Sequence, residues 1–131
     1  MNIPTVESRL KRRFIVMSSD DRLVARLRAA LPEGWQMTVT CDLDEFGGFQ
    51  EVLQYRFILL DLDACAAFDP LEVIRELRMQ MMLNIAIFCF GGEPQLRDEA
   101  RIARADRFFE RAEIVDKMKL FCGQYDWGGG V

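Results

Sequence analysis

Five short apolar runs, each followed by a segment with helical spacing, restrict the fold of this 131-residue chain more than any other feature. The runs are residues 14–18, 35–40, 56–61, 85–90 and 107–109. Most carry apolar residues on both parities, with β-branched and aromatic members, as strands of a parallel sheet covered on both faces do. The clearest is Arg-Phe-Ile-Leu-Leu-Asp at 56–61. Leu23, Leu27, Ala30 and Leu31 recur at helical spacing until Pro32 and Gly34 stop them. Residues 43–54 form a weaker helix, with Gly47 and Gly48 in its middle. Asp69-Pro70 opens a third helix, a cap residue followed by proline at the first helical position. Its inward face is Leu71, Ile74, Leu77 and Met81. Residues 94–104 give a charged helix with inward Leu96, Ala100 and Ala103, and 112–122 a last one with Ile114, Val115, Met118 and Phe121.

A strand–helix unit repeated five times in one domain's length predicts an α/β fold, an open parallel sheet with helices on both faces. No Gly-x-Gly-x-x-Gly is present, which favours the flavodoxin-like winding over the Rossmann one. The expected fold is a (βα)5 doubly wound sandwich with strand order 2-1-3-4-5. The domain is expected over 13–123, after a basic lead-in at 1–12 and before a tail at 124–131 that ends in three glycines and a valine.

The absence of histidine removes His-dependent triads, His zinc sites and histidine general bases together. Cys41, Cys65, Cys89 and Cys122 form no Cys-x-x-Cys pair, so they read as free thiols in a reducing cytoplasm. A net charge of −4 argues against a nucleic-acid or membrane-surface binder. The longest apolar stretch, Met81 to Phe90, is too short to span a bilayer. No cradle for a flavin or dinucleotide phosphate is present, and the expectation is a domain that is not an enzyme and requires no cofactor.

In this winding a site lies beyond the carboxyl ends of the strands, where strand order reverses. Ser18, Ser19, Asp20 and Asp21 follow strand one there, and Asp61 and Asp63 follow strand three. Converging carboxylates repel a phosphate ester and invite a hard divalent cation, so Asp20, Asp21 and Asp61 are candidate ligands of Mg²⁺. Asp20 and Asp21 also suit the first turn of a helix, and Asp63 suits a solvated loop. Asp61 ends an apolar strand, where an acid has no packing use.

Three stretches resemble the receiver domain of two-component response regulators, over residues 13 to about 122. Ile58-Leu59-Leu60-Asp61-Leu62-Asp63 resembles the strand that ends in the phosphoacceptor aspartate. Ser19-Asp20-Asp21-Arg22-Leu23-Val24 resembles the acidic Mg²⁺ loop. Ala105-Asp106-Arg107-Phe108-Phe109-Glu110-Arg111 resembles the strand-five segment with its switch aromatic. The resemblance makes Asp61 the candidate phosphoacceptor and Phe108 the switch aromatic. It also implies a protein partner: a histidine kinase, an output domain or another regulator. Homodimers through the face of helix four, strand five and helix five are common in the family.

The departures fall on the reading apparatus. The family's strand-four hydroxyl falls on Cys89 or Phe90, and no Ser or Thr follows Thr40. The strand-five lysine falls on Arg111, whose planar fork is not a lysine's point charge. The expectation is a degenerate receiver acting through protein contacts without normal phosphorylation switching. The alternative is a working phosphoreceiver, with Asp61 phosphorylated, Mg²⁺ bound and Arg111 in the lysine's place.

Overall fold

The computed structural model describes residues 10–127. Five parallel strands form one sheet in the order β2-β1-β3-β4-β5, the winding expected from the sequence. They are β1 (Arg13–Met17), β2 (Gln36–Thr40), β3 (Phe57–Asp61), β4 (Ala86–Phe90) and β5 (Arg107–Phe109). The crossovers carry α1 (Asp21–Ala29), α2 (Phe49–Val52), α3 (Pro70–Arg75) and α4 (Pro94–Ile102), and α5 (Ile114–Gln124) follows β5.

Alternation along each strand splits the core into two layers. Phe14, Val16, Phe57, Leu59, Phe88 and Phe90 face one side, under Leu23 and Leu27 of α1 and Met118 and Phe121 of α5. Phe57 stacks on Phe14 at 4.7 Å between ring centroids, and Phe88 on Phe121 at 3.9 Å. Ile15, Ile58, Leu60, Ile87 and Cys89 face the other side, under Val52, Ile74, Leu77 and Ala100. The central strand β3 is buried along its whole length, which is why its sequence reads so clearly.

Local chemistry sets the helix starts. Asp20 caps α1 by accepting from the Leu23 amide at 3.1 Å. Asp69 caps α3 by accepting from Leu71 and Glu72, with Pro70 next. Two expected helices are corrected. The helix expected over 43–54 is a 3₁₀ turn, Leu43–Phe46, and the single turn of α2. Gly47 and Gly48 separate them with φ of +82° and +129°, values a helix cannot contain. The third helix does not continue as α to Met81. It widens into a π turn at Glu76–Gln80, closed by the Met81 amide donating to the Glu76 carbonyl at 2.8 Å.

Residues 1–9 of the expected lead-in and 128–131 of the expected tail lie outside the described residues. The start of that tail is ordered into the domain. Gln124 ends α5, Tyr125 packs on the core, and the Arg56 guanidinium donates to the carbonyls of Tyr125 and Trp127, each at 2.7 Å.

Candidate functional site

The ends of β1 and β3 are adjacent where the sheet reverses its winding, so residues 18–20 and 61–63 meet. Asp61 closes β3 with its side chain only 2% exposed. A carboxylate that dry needs partners on both oxygens. Ser18 Oγ donates to its Oδ2 at 2.6 Å, and the Asp63 amide to its Oδ1 at 2.9 Å. The remaining ground is taken by Arg111, just after β5. Its Nη1 donates to Oδ1 at 2.8 Å and its Nη2 to Oδ2 at 3.0 Å. This is the bidentate fork-to-carboxylate pairing that arginine can make and lysine cannot.

The same guanidinium gathers two more acids. Nη2 donates to Asp20 Oδ2 at 2.6 Å, and Nη1 to Asp63 Oδ2 at 3.1 Å. Both terminal nitrogens thus serve three carboxylates from two loops. The Phe90 ring lies 5.4 Å from its centre, so Phe90, in register with Asp61, floors the site. Hydrogen bonds to Asp61 and then Asp20 raise the already high pKa of Arg111, which keeps it a fixed cation.

Asp21, expected beside Asp20 as a metal ligand, is instead the exposed first residue of α1. The cap geometry decides this: the Asp20 side chain turns back on the Leu23 amide, and the next residue enters the helix pointing outward. Asp63, expected as a solvated loop acid, is 50% exposed and is in addition held on two sides. Its Oδ2 meets Arg111 and its Oδ1 accepts from the Gly92 amide at 3.0 Å. Gly91 and Gly92 turn there at φ of +70° and +83°, and a Cβ on Gly91 would lie 2.1 Å from Asp63 Oδ2. Ser18, placed at the strand-one end by the sequence, has no role assigned there. Its signal was a hydroxyl directly after a buried strand.

The switch-position residues have other partners. Cys89 is fully buried against the α3–α4 layer, and burial pushes its thiol up to about 12. Phe108 is half-buried under the Arg101 guanidinium, 4.7 Å from its ring centre. On α4, Arg97 turns inward and donates to the carbonyls of Gly91 at 3.0 Å and Phe109 at 2.9 Å. The helix is thereby tied to the loop that holds Asp63.

The residues do not fit Mg²⁺ as arranged. The centre of Asp20, Asp61 and Asp63 is filled by a cation on the protein's own chain, and a second cation there would meet repulsion. Among the described residues no group of three acidic, cysteine or histidine side chains is disposed to hold a metal ion.

The ion pairing has a pH signature. The Arg111 hydrogen bond, and then the Leu23 amide, hold the Asp20 carboxyl below its ordinary value of 3.8. A group whose folded pKa is depressed adds stability above the unfolded value, and that stability disappears as pH falls through the folded value. Asp20→Asn should therefore flatten the fall of urea-unfolding stability below about pH 4. An unchanged slope would show that Asp20 titrates alike in the folded and unfolded states.

Neither a protein-family model nor a curated protein matches the chain. Solved structures do. The receiver domain of a response regulator from Bermanella marisrubri superposes with a TM-score of 0.64 at 23% identity, covering 82% of this chain and 94% of that one. The receiver domain of Francisella response regulator 1452 gives 0.64 at 15%, covering 88% and 96%. A CheY-like receiver domain from Methanospirillum hungatei JF-1 gives 0.61 at 12%, covering 90% and 98%. No helix among the described residues is long and apolar enough to cross a membrane. The chain has the flavodoxin-like fold of a response regulator receiver domain, with an arginine salt bridge at the carboxyl end of its sheet.

Proposed function

We propose that this domain is a signalling module of receiver type that works through protein contacts, with its phosphoacceptor position closed by Arg111. One observation carries the reading: Asp61 is buried, and both its oxygens are engaged by the Arg111 fork. A carboxylate accepts a phosphoryl group only with a lone pair open to in-line approach and a cation placed for the incoming charge. Here the lone pairs are spent and the cation is bound to the acceptor itself. No hydroxyl stands at the end of β4 to respond to a phosphoryl group, because Cys89 and Phe90 occupy that stretch.

The partner is a protein: a histidine kinase, an output domain or another regulator. The face of α4, β5 and α5 remains a candidate for such contacts or for a homodimer. Part of its charge is already used within the domain, since Arg97 holds backbone and Arg101 pairs with Asp98 at 2.8 Å. The working-receiver alternative requires Arg111 to leave Asp61 and a metal to enter.

The test is intact mass after incubation with Mg²⁺ and phosphoramidate or acetyl phosphate, with a competent receiver in the same tube as donor control. The expected result is an adduct on the control and none on this protein. Mg²⁺ should also leave its melting temperature unchanged. A millimolar site at ~10 mM Mg²⁺ would add about 1.4 kcal/mol, a shift of several degrees. An adduct that disappears in Asp61→Ala would overturn the proposal.

A further inference from the structure

The amino-terminal end of the sheet carries a second feature. A cleft of about 740 Å³ opens where β3, β4 and β5 begin, away from Asp61. Leu53, Tyr55, Phe88 and Tyr125 line it, with Trp127 and the segment Leu83–Ala86 on either side. This volume lies within the range of ligand-binding clefts.

Two buried arginines hold the walls. Arg78 donates from one guanidinium to the carbonyls of Leu83 at 2.7 Å and Ile85 at 2.8 Å. It also reaches the Arg104 carbonyl at 2.9 Å and Asp106 at 2.8 Å. The wall it fixes follows Met82, whose φ of +55° is unusual for a bulky residue. On the other side Arg56 holds the carbonyls of Tyr125 and Trp127, and the Trp127 ring stacks 3.5 Å from the guanidinium centre. Trp127 is nonetheless 55% exposed. An exposed tryptophan kept in one orientation is the kind of side chain that dominates binding energy, and fixed walls lower the ordering cost of association.

The charge indicates what would bind. Among the described residues Asp106 is the one carboxylate lining the cleft and is already paired with Arg78 at 2.8 Å, and Asp126, between two lining residues, pairs with Arg12 at 3.0 Å. Arg107 lines the cleft, is exposed, and has no ion-pair partner among the described residues. A chain with net charge −4 thus presents a cleft of mixed aromatic and polar lining whose uncommitted charge, on Arg107, is positive. We infer that this cleft docks an acidic peptide segment of a partner protein, with an apolar side chain seated among the aromatic residues and a carboxylate on Arg107. The inference is independent of whether Asp61 accepts phosphate.

The probe is an acetylated, amidated heptapeptide alternating glutamate with leucine and phenylalanine, beside a twin with lysine for every glutamate. It is titrated into the full chain while amide shifts and tryptophan fluorescence are followed. The acidic peptide should shift the amides of 83–86, 106–107 and 124–127. It should change Trp127 emission and bind about tenfold more tightly than its twin. Arg107→Glu, a surface change, should invert that order, and Trp127→Ala should weaken the acidic peptide about tenfold. Equal binding of both peptides, no shifts, or shifts only around Asp20 and Asp61 would overturn the inference. Shifts at residues 1–9 or 128–131 in peptide-free Arg107→Glu would also overturn it, by making the chain's own ends the occupant.

Discussion

Arg111→Met should lower the unfolding free energy of the domain by about 2–4 kcal/mol, roughly a 10 °C fall in melting temperature. The substitution keeps much of the stem's volume and removes the fork. Asp61, with its side chain 2% exposed, would keep the Ser18 hydroxyl and the Asp63 amide but lose its counter-charge. Breaking a buried pair from one side costs about 3–5 kcal/mol because a charge is left uncompensated. The lower range is expected here because the Arg111 side chain is 33% exposed, and water can enter from that side. Asp20 and Asp63 would add repulsion once the guanidinium that separates them is gone. Asp61→Asn/Arg111→Met should recover more than half of the loss, since a neutral amide needs no counter-ion. Arg111→Lys should fall between parent and methionine, because one ammonium cannot serve both oxygens of Asp61 and two further acids. Urea unfolding of the parent, Asp61→Asn, Arg111→Met and the double variant gives the coupling energy between Asp61 and Arg111 directly. A coupling near zero would mean that the fork is a surface ornament and that Asp61 is stabilised by its other donors.

That salt bridge was only half legible. Asp61 stood out because a charged residue at the end of an apolar strand has no packing role. Arg111 stood out by position, two residues beyond β5. Their pairing was not legible, because it depends on side-chain reach across 50 residues of sequence. The partners of Asp63, which is a half-exposed loop acid as expected, were not legible for a related reason. The sequence shows a loop acid, and only the folded Gly91–Gly92 turn brings an amide to it. Asp21 was grouped with Asp20 because adjacent acids look equivalent in sequence, whereas one is the cap and the other the first helical residue. The sheet was far easier, since strands buried on both faces must be apolar throughout. The α2 region failed the other way: its helical spacing was real, but two left-handed glycines outweigh a short apolar periodicity. The π turn left no periodic mark, because one extra residue in a turn shifts spacing by less than a side chain's reach.

Its consequence is Arg78, which the sequence presents as one more charged residue on a helix. The wide turn at Glu76–Gln80 contains a guanidinium that is buried and makes four hydrogen bonds. Burial pulls the Arg78 pKa down, and Asp106 offsets part of that. Asp106 in turn accepts from the Ile87 amide at 2.7 Å, so one ion pair orders the entries to both β4 and β5. Arg78→Met should cost about 2–4 kcal/mol, since three carbonyls lose a buried donor, while the Asp106 carboxylate, 46% exposed, is partly solvated from the cleft. Asp106→Asn should cost less, because an amide oxygen still accepts from Arg78 and Ile87. Arg104 and Met82 sit at φ of +81° and +55°, conformations that non-glycine residues hold only when surroundings enforce them. Amide exchange in Arg78→Met should therefore rise first at 83–87 and 104–107, with β1 and β3 still protected. A loss under about 1 kcal/mol, or exchange rising uniformly, would mean that the strand entries are fixed by the apolar layers alone and that Arg78 fills space.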